Sequence, residues 1–212
     1  MNSHEKSPKV LIVDDEYANL LFMKKVLTSE GFDTYTATNA LEAELIIHEK
    51  KPDAILLDIM MPEISGLDLL KKLQNDEKTK CIPVIMVTAK TDSIDVETAL
   101  NLGAIEYIKK PVDDIELLAR LKTVLKIKYY EDNLKENLKA KEEFINIVAH
   151  DLRTPFATIA GFAELLKQDE NLKKILSEEH KQIFEYIGST SQFLIEYFNK
   201  LLAWAKLGSE SL

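Results

Sequence analysis

The strongest constraint on this chain is an alternation of textures between residues 8 and 127. Short apolar runs rich in β-branched residues occur at Val10–Val13, Thr34–Ala37, Ala54–Leu57, Val84–Val87 and Tyr107–Ile108. Each has the length and composition of a buried strand. Segments of helical period lie between them, with Leu20, Leu21, Lys24 and Leu27 on one stripe and Leu41, Leu45 and Ile46 on another. Asn39 ahead of Glu42 and Ser65 ahead of Asp68 have the spacing of helix N-caps, and Gly31 and Gly103 stand where helices end. Five strands alternating with helices predict a doubly wound parallel sheet covered on both faces. In such a sheet the chemistry lies beyond the carboxyl ends of the strands.

After Pro111 the texture changes. No Gly or Pro occurs from Val112 to Thr154. Asp113 or Asp114 can cap the start of a helix there. Leu117, Val124, Ile127, Leu134, Leu138, Ile145, Val148 and Leu152 fall on one heptad seam, interrupted by Arg120, Glu131 and Lys141. This predicts one long helix that runs from the first domain into a weak coiled coil. A turn is expected over residues 168–176. Ser177 then caps a second helix with Ile183, Ile187, Thr190, Leu194, Tyr197, Leu201 and Trp204 on one face, and Gly208 closes it. The second half is therefore expected to be an antiparallel helical hairpin. A lone hairpin has too little core to be stable, so it is expected to homodimerise into a four-helix bundle. The expected organisation is a (βα)5 domain over 8–127, a connecting helix over 113–147 and a hairpin over 138–208.

The polar residues at the strand ends carry the chemistry. Asp14 and Asp15 follow the first strand, Asp58 the third, Thr88 the fourth and Lys110 the fifth. Three carboxylates crowded at one sheet edge repel one another, and a hard divalent cation such as Mg²⁺ removes that repulsion. A metal beside Asp58 would neutralise its charge and that of an incoming phosphoryl group, leaving Asp58 free to act as the nucleophile. The Thr88 hydroxyl and the Lys110 ammonium can hold phosphoryl oxygens. Lys109 is the rival lysine, but neighbouring strand residues point oppositely and the position before the proline favours Lys110.

The segments VLIVDDE, ILLDIMMPEISG, VIMVTAK and GAIEYIKKP resemble the receiver domains of bacterial response regulators, over about residues 8–127. The resemblance implies that Asp58 is the phosphoacceptor and that Asp14, Asp15 and the backbone carbonyl of Met60 help bind Mg²⁺. It further implies that Thr88 and Lys110 sense the phosphoryl group, that Tyr107 is the switch aromatic, and that the Lys110–Pro111 bond is cis.

A second site lies in FINIVAHDLRTPFATIAGF. His150 is off the heptad seam and should face solvent or a partner. Asp151 follows it and Thr154 shares its face one turn on, while Pro155 should bend the helix nearby. Unprotonated imidazole accepts phosphoryl groups well near neutral pH, and Asp151 could orient the ring or take its proton. HDLRTP resembles the H-box of sensor histidine kinases, and LLAWAKL the end of the second helix of their dimerisation and phosphotransfer hairpin, over about residues 138–207. That resemblance implies that His150 is the phosphorylated histidine, Asp151 its acid/base helper and Thr154 a phosphatase residue. His4, His48 and His180 lack such surroundings and read as surface residues.

The expected function is two-component phosphorelay signalling, in which phosphorylation of Asp58 regulates the His150 hairpin. The expected partners are a second copy of the chain and separate receiver or histidine-phosphotransfer proteins. Two alternatives stay open: a dimeric scaffold in which only the receiver is phosphorylated, and a stand-alone phosphotransfer intermediate. No Asn-rich helix or glycine-rich nucleotide loop follows the hairpin, so autophosphorylation by this polypeptide is not expected. A helix from Asp113 to His150 would be roughly 55 Å long, so direct transfer between Asp58 and His150 of one protomer is not expected either.

Composition narrows the rest. A net charge of -9 argues against sequence-independent nucleic-acid binding. The polar N-terminus and the lack of a long apolar run predict no signal peptide or membrane span. The lone cysteine, Cys81, fits a cytoplasmic location and reads as a small residue near the start of a buried strand.

Overall fold

A computed structural model describes residues 7–89 and 93–207 of the chain. His4 and Gly208, both singled out above, lie outside the described residues. The order of elements is β1 (Lys9–Val13), α1 (Tyr17–Ser29), β2 (Asp33–Ala37), α2 (Ala40–Lys50), β3 (Ala54–Asp58), α3 (Gly66–Asn75), β4 (Val84–Thr88), α4 (Ser93–Asn101), β5 (Glu106–Lys109), α5 (Asp114–Gln168), α6 (Glu170–Ile175) and α7 (Glu178–Leu207). The chain forms two compact units that divide between Glu131 and Asp132.

In the first unit all five strands are parallel, in the order β2-β1-β3-β4-β5. Side chains alternate across the sheet, so each strand feeds two cores. Leu11, Val13, Ile55, Leu57, Val84 and Met86 pack with residues of α2 and α3, while Val10, Ile12, Leu56, Ile85, Val87 and Ile108 pack with α1 and α5. Burial on both faces explains why these strands are continuously apolar.

Local chemistry sets the helix ends. Asn39 Oδ1 accepts from Glu42 N–H at 2.9 Å, and Glu42 Oε2 accepts in return from Thr38 N–H at 2.8 Å. Ser65 Oγ accepts from Asp68 N–H at 3.2 Å, and Asp113 Oδ1 from Glu116 N–H at 2.9 Å. Gly31 (φ 87) and Gly103 (φ 101) adopt the left-handed conformation that closes a helix with least strain.

The structure sharpens four of these expectations. The buried face of α1 is Leu20, Met23 and Leu27, whereas Leu21 and Lys24 point outward. That of α2 is Ala40, Ala43 and Ile47, with Leu41 and Leu45 exposed. In both, the apolar residues spread around the helix, and the face that meets the sheet is chosen by close packing of small or flexible side chains. Cys81 stands three residues before β4 and is exposed. Leu117 and Val124 are buried in the first unit's core, so the head of the heptad seam serves the sheet and not a coil.

In the second unit, α5 continues through Pro155 to Gln168. The expected turn holds the short helix α6. Ser177 Oγ accepts from His180 N–H at 3.3 Å and caps α7. Gly188 and Ala163 mark close approach of α7 to α5, since a Cβ on Gly188 would lie 3.3 Å from that of Ala163. Ala149, Ala163 and Ser191 are buried there. The apolar stripe of α7 is exposed at Ile183, Ile187, Tyr197 and Trp204, as are Phe144, Ile147, Phe162 and Leu165 of α5. The hairpin thus uses one apolar face internally and leaves another uncovered.

Candidate functional site

The β1/β3 boundary is where the strand order reverses, and the crevice at its carboxyl end is where ligands bind in such sheets. Asp58 is the last residue of β3 and Asp14 directly follows β1. Asp14 is fully buried and Asp58 is 3 % exposed. A bare buried carboxylate is costly and must find compensation. Lys110 supplies it: its Nζ lies 2.8 Å from Asp14 Oδ2 and 3.1 Å from Asp58 Oδ1. The Lys110–Pro111 peptide bond is cis. Lys109, the rival, is exposed.

Carboxylate oxygens of Asp14, Asp15 and Asp58 lie within 4.8 Å of one another. The donor set is all oxygen, with no imidazole or thiolate, which suits Mg²⁺ and disfavours zinc. Burial raises the Asp58 pKa above its ordinary value; the Lys110 ammonium opposes this, and the Asp14 and Asp15 charges add to it. Burial pulls the Lys110 ammonium down, but hydrogen bonds and charge from Asp14 and Asp58 outweigh it and leave its pKa raised. The cluster therefore has a surplus of negative charge that one lysine does not cancel.

Two supporting residues were not foreseen from the sequence. Asn19 on α1 donates from Nδ2 to Asp14 Oδ1 at 3.0 Å, and Glu16 N–H donates to the same oxygen at 3.0 Å. Gly66 donates its N–H to Ile59 carbonyl at 3.0 Å and passes so close to β3 that a Cβ would lie 1.9 Å from the Asp58 carbonyl oxygen. The Asn in the first turn of α1 and the Gly directly after a helix cap were the available signals.

Thr88 ends β4 and is buried. Met60 lies two residues past β3, with its side chain exposed. Tyr107 is 37 % exposed, and the Arg120 guanidinium sits 5.7 Å from its ring centroid, held at 2.8 Å by both Glu106 and Glu116.

In the second unit the His150 side chain is 76 % exposed, and its Nδ1 lies 3.1 Å from Asp151 Oδ1. Thr154 Oγ1 donates back to the His150 carbonyl at 3.5 Å. His180 is occupied at the α7 cap, its Nδ1 2.8 Å from Ser177 Oγ.

Known proteins are similar to both parts of the chain. Residues 10–122 match the response regulator receiver domain, and residues 140–210 match the His Kinase A (phospho-acceptor) domain. The chain is 43 % identical over 117 residues to the phosphate regulon transcriptional regulatory protein PhoB of Pseudomonas aeruginosa, covering 55 % of this chain and 51 % of PhoB. It is 35 % identical over 142 residues to the response regulator MtrA of Mycolicibacterium paratuberculosis, covering 67 % of this chain and 61 % of MtrA. The chain thus spans about three-fifths or less of these relatives. A CheY-like receiver domain protein from Methanospirillum hungatei superposes with a TM-score of 0.56 at 32 % identity, over 59 % of this chain and 99 % of that one. Domains of the His Kinase A type generally dimerise, and among the described residues no helix is long and apolar enough to cross a membrane. With a buried acidic crevice on a five-stranded parallel sheet and a helical histidine later in the chain, the chain belongs to the response regulator receiver family and carries a His Kinase A phospho-acceptor domain after its receiver.

Proposed function

We propose that the chain is a phosphorelay component in which Asp58 takes up a phosphoryl group and thereby regulates a dimeric hairpin bearing a phosphorylatable His150. The observation that carries this reading is the pairing of a buried Asp58 with Asp14 through Lys110, beside Asp15. Asp14, Asp15, Asp58 and the Met60 carbonyl would hold Mg²⁺, which supplies charge neutralisation for the transferring phosphoryl group. An Asp58 Oδ attacks phosphorus in line, the bond from phosphorus to the donor's leaving oxygen or nitrogen breaks, and an acyl phosphate remains. Lys110 is placed to exchange its contact with Asp58 for one to a phosphoryl oxygen, and the Thr88 hydroxyl can hold another. Tyr107 would follow Thr88 inward, leaving Arg120.

His150 would take its phosphoryl group on Nε2, with Nδ1 oriented by Asp151. Thr154, on the same face, would assist hydrolysis. Partner receivers or histidine-phosphotransfer proteins would exchange phosphoryl groups with it. The open apolar stripes of α5 and α7 fit a second copy of the hairpin. The domains are taken as receiver 8–127, connecting helix 113–147 and hairpin 138–208, in a cytoplasmic protein.

The test is incubation with acetyl phosphate and Mg²⁺, followed by intact mass and peptide mapping. One phosphoryl group on Asp58, abolished by Asp58→Asn or by EDTA, supports the reading; an unlabelled Asp58 overturns it. Addition of a phosphorylated receiver partner then separates relay, with label on His150, from a scaffold labelled on aspartate alone.

A further inference from the structure

We propose that Asn199 and Phe198 of α7 are positioning residues for His150, acting through a two-point clasp that brackets Pro155. The inference rests on the reading of His150 as a phosphoryl acceptor, and its structural half can be tested without that reading.

The helix lacks one ladder hydrogen bond just after His150. Pro155 lies inside α5 and has no N–H to give the Asp151 carbonyl. Thr154 Oγ1 donates back to the His150 carbonyl at 3.5 Å, and Thr158 Oγ1 to the Thr154 carbonyl at 3.0 Å. Such back-bonding bends helices and loosens the ladder. The direction of the turn that carries His150 therefore needs an external constraint.

The hairpin supplies one on each side of the proline. Arg153, three residues after His150, donates from Nη2 to Asn199 Oδ1. Phe156, one residue past the proline, stacks on Phe198 with centroids 6.0 Å apart and planes inclined by 28°. Arg153 and Phe156 are three apart on one face of α5, and Phe198 and Asn199 are adjacent on α7. One turn of α7 thus contacts α5 on both sides of Pro155. The Arg153 Nε is buried with no hydrogen-bond partner among the described residues. An unpartnered buried donor is unfavourable, so the bond from Nη2 to the exposed Asn199 is the polar anchor of this half-buried side chain. Any shift of α7 along or about its axis moves the guanidinium and, through it, the turn bearing the imidazole.

The experiment uses the full chain as wild type, Asn199→Leu and Asn199→Asp. Leucine has similar volume but no acceptor; aspartate keeps the acceptor and adds a charge that suits Arg153. Two readouts are taken. The first is the rate at which phosphoramidate places base-stable phosphate on His150, distinguished from base-labile acyl phosphate on Asp58. The second is the ¹⁵N spectrum of the histidine rings. Asn199→Leu is expected to slow labelling about tenfold, the order of loss expected from modest misorientation of a reacting group, and to shift the His150 ring resonances. Asn199→Asp is expected to restore both to within about twofold of wild type, because the hydrogen bond is remade. A change in thermal stability with labelling and ring resonances untouched would make Asn199 merely structural and overturn the proposal. If the wild type takes no base-stable label, the reading of His150 as acceptor fails, and the ring resonances alone decide the clasp: a His150 shift in Asn199→Leu, reversed in Asn199→Asp, upholds it, and no shift refutes it.

Discussion

Asp58 and His150, the two candidate phosphoacceptors, sit in opposite surroundings. Asp58 is 3 % exposed at the end of a strand buried on both faces, and its charge is answered within the fold by Lys110 at 3.1 Å. The His150 side chain is 76 % exposed on a helix, with Asp151 at 3.1 Å as its neighbour. The first site is built by packing: its residues come from the carboxyl ends of β3 and β4 and from the loops after β1 and β5. The second is built by orientation along one helix, and what completes it must come from outside that helix. Chemistry at Asp58 is thereby tied to folding stability, and chemistry at His150 is largely uncoupled from it.

Substitutions can break or sharpen that contrast. The largest effect is expected from Lys110→Ala, which leaves Asp14 and Asp58 buried without their shared cation. Loss of one partner of a buried ion pair costs roughly 3–5 kcal/mol. Chemical denaturation of the metal-free protein measures it, and Mg²⁺ should recover part of the loss. Gly66→Ala comes next. Its new Cβ would fall 1.9 Å from the Asp58 carbonyl oxygen, so the loop must move. Overpacking of this kind costs typically about 1–3 kcal/mol, and labelling of Asp58 by acetyl phosphate should fall with it.

Asp58→Asn should act in the other direction and more gently. Burial raises the Asp58 pKa, so this group's contribution to stability is fully present below its unfolded pKa of about 3.9 and is lost as pH rises through the raised folded value. At neutral pH and without metal, Asp58→Asn should therefore melt a few degrees higher than wild type. The gap should close as pH falls towards 4, within about one unit of the unfolded carboxyl value. Thermal melts across that range check the sign; a lower melting temperature at neutral pH would refute the electrostatic account of the site. The smallest effect is expected at His150→Gln. An exposed side chain should change stability by no more than about 0.5 kcal/mol, and label at Asp58 should be unchanged while base-stable label disappears.

Much of the first unit was legible because short-range rules govern it. Strands buried on both faces are continuous apolar runs, and the caps at Asn39 and Ser65 involve residues three apart. Other features were not legible. Leu21 and Met23 differ by two positions on α1, yet only Met23 is buried. The stripe through Ile183 and Ile187 is one apolar face of α7, but Gly188, Ser191 and Phe198 lie on the neighbouring face that meets α5. Helices with two adjacent apolar stripes carry no local signal that ranks them. Nor did Leu117 and Val124 announce that the head of the heptad seam belongs to the sheet core.

By itself, the sequence determined the order of elements, the acids at the strand ends and the helical histidine, because each rests on periods of two to four residues. Only the tertiary structure decided that Lys110 bridges Asp14 and Asp58, that Gly66 must lack a side chain, and that Arg153 meets Asn199. Those contacts join residues up to 96 positions apart along the chain, from Asp14 to Lys110. Their geometry depends on the relative placement of whole elements, which no local pattern encodes.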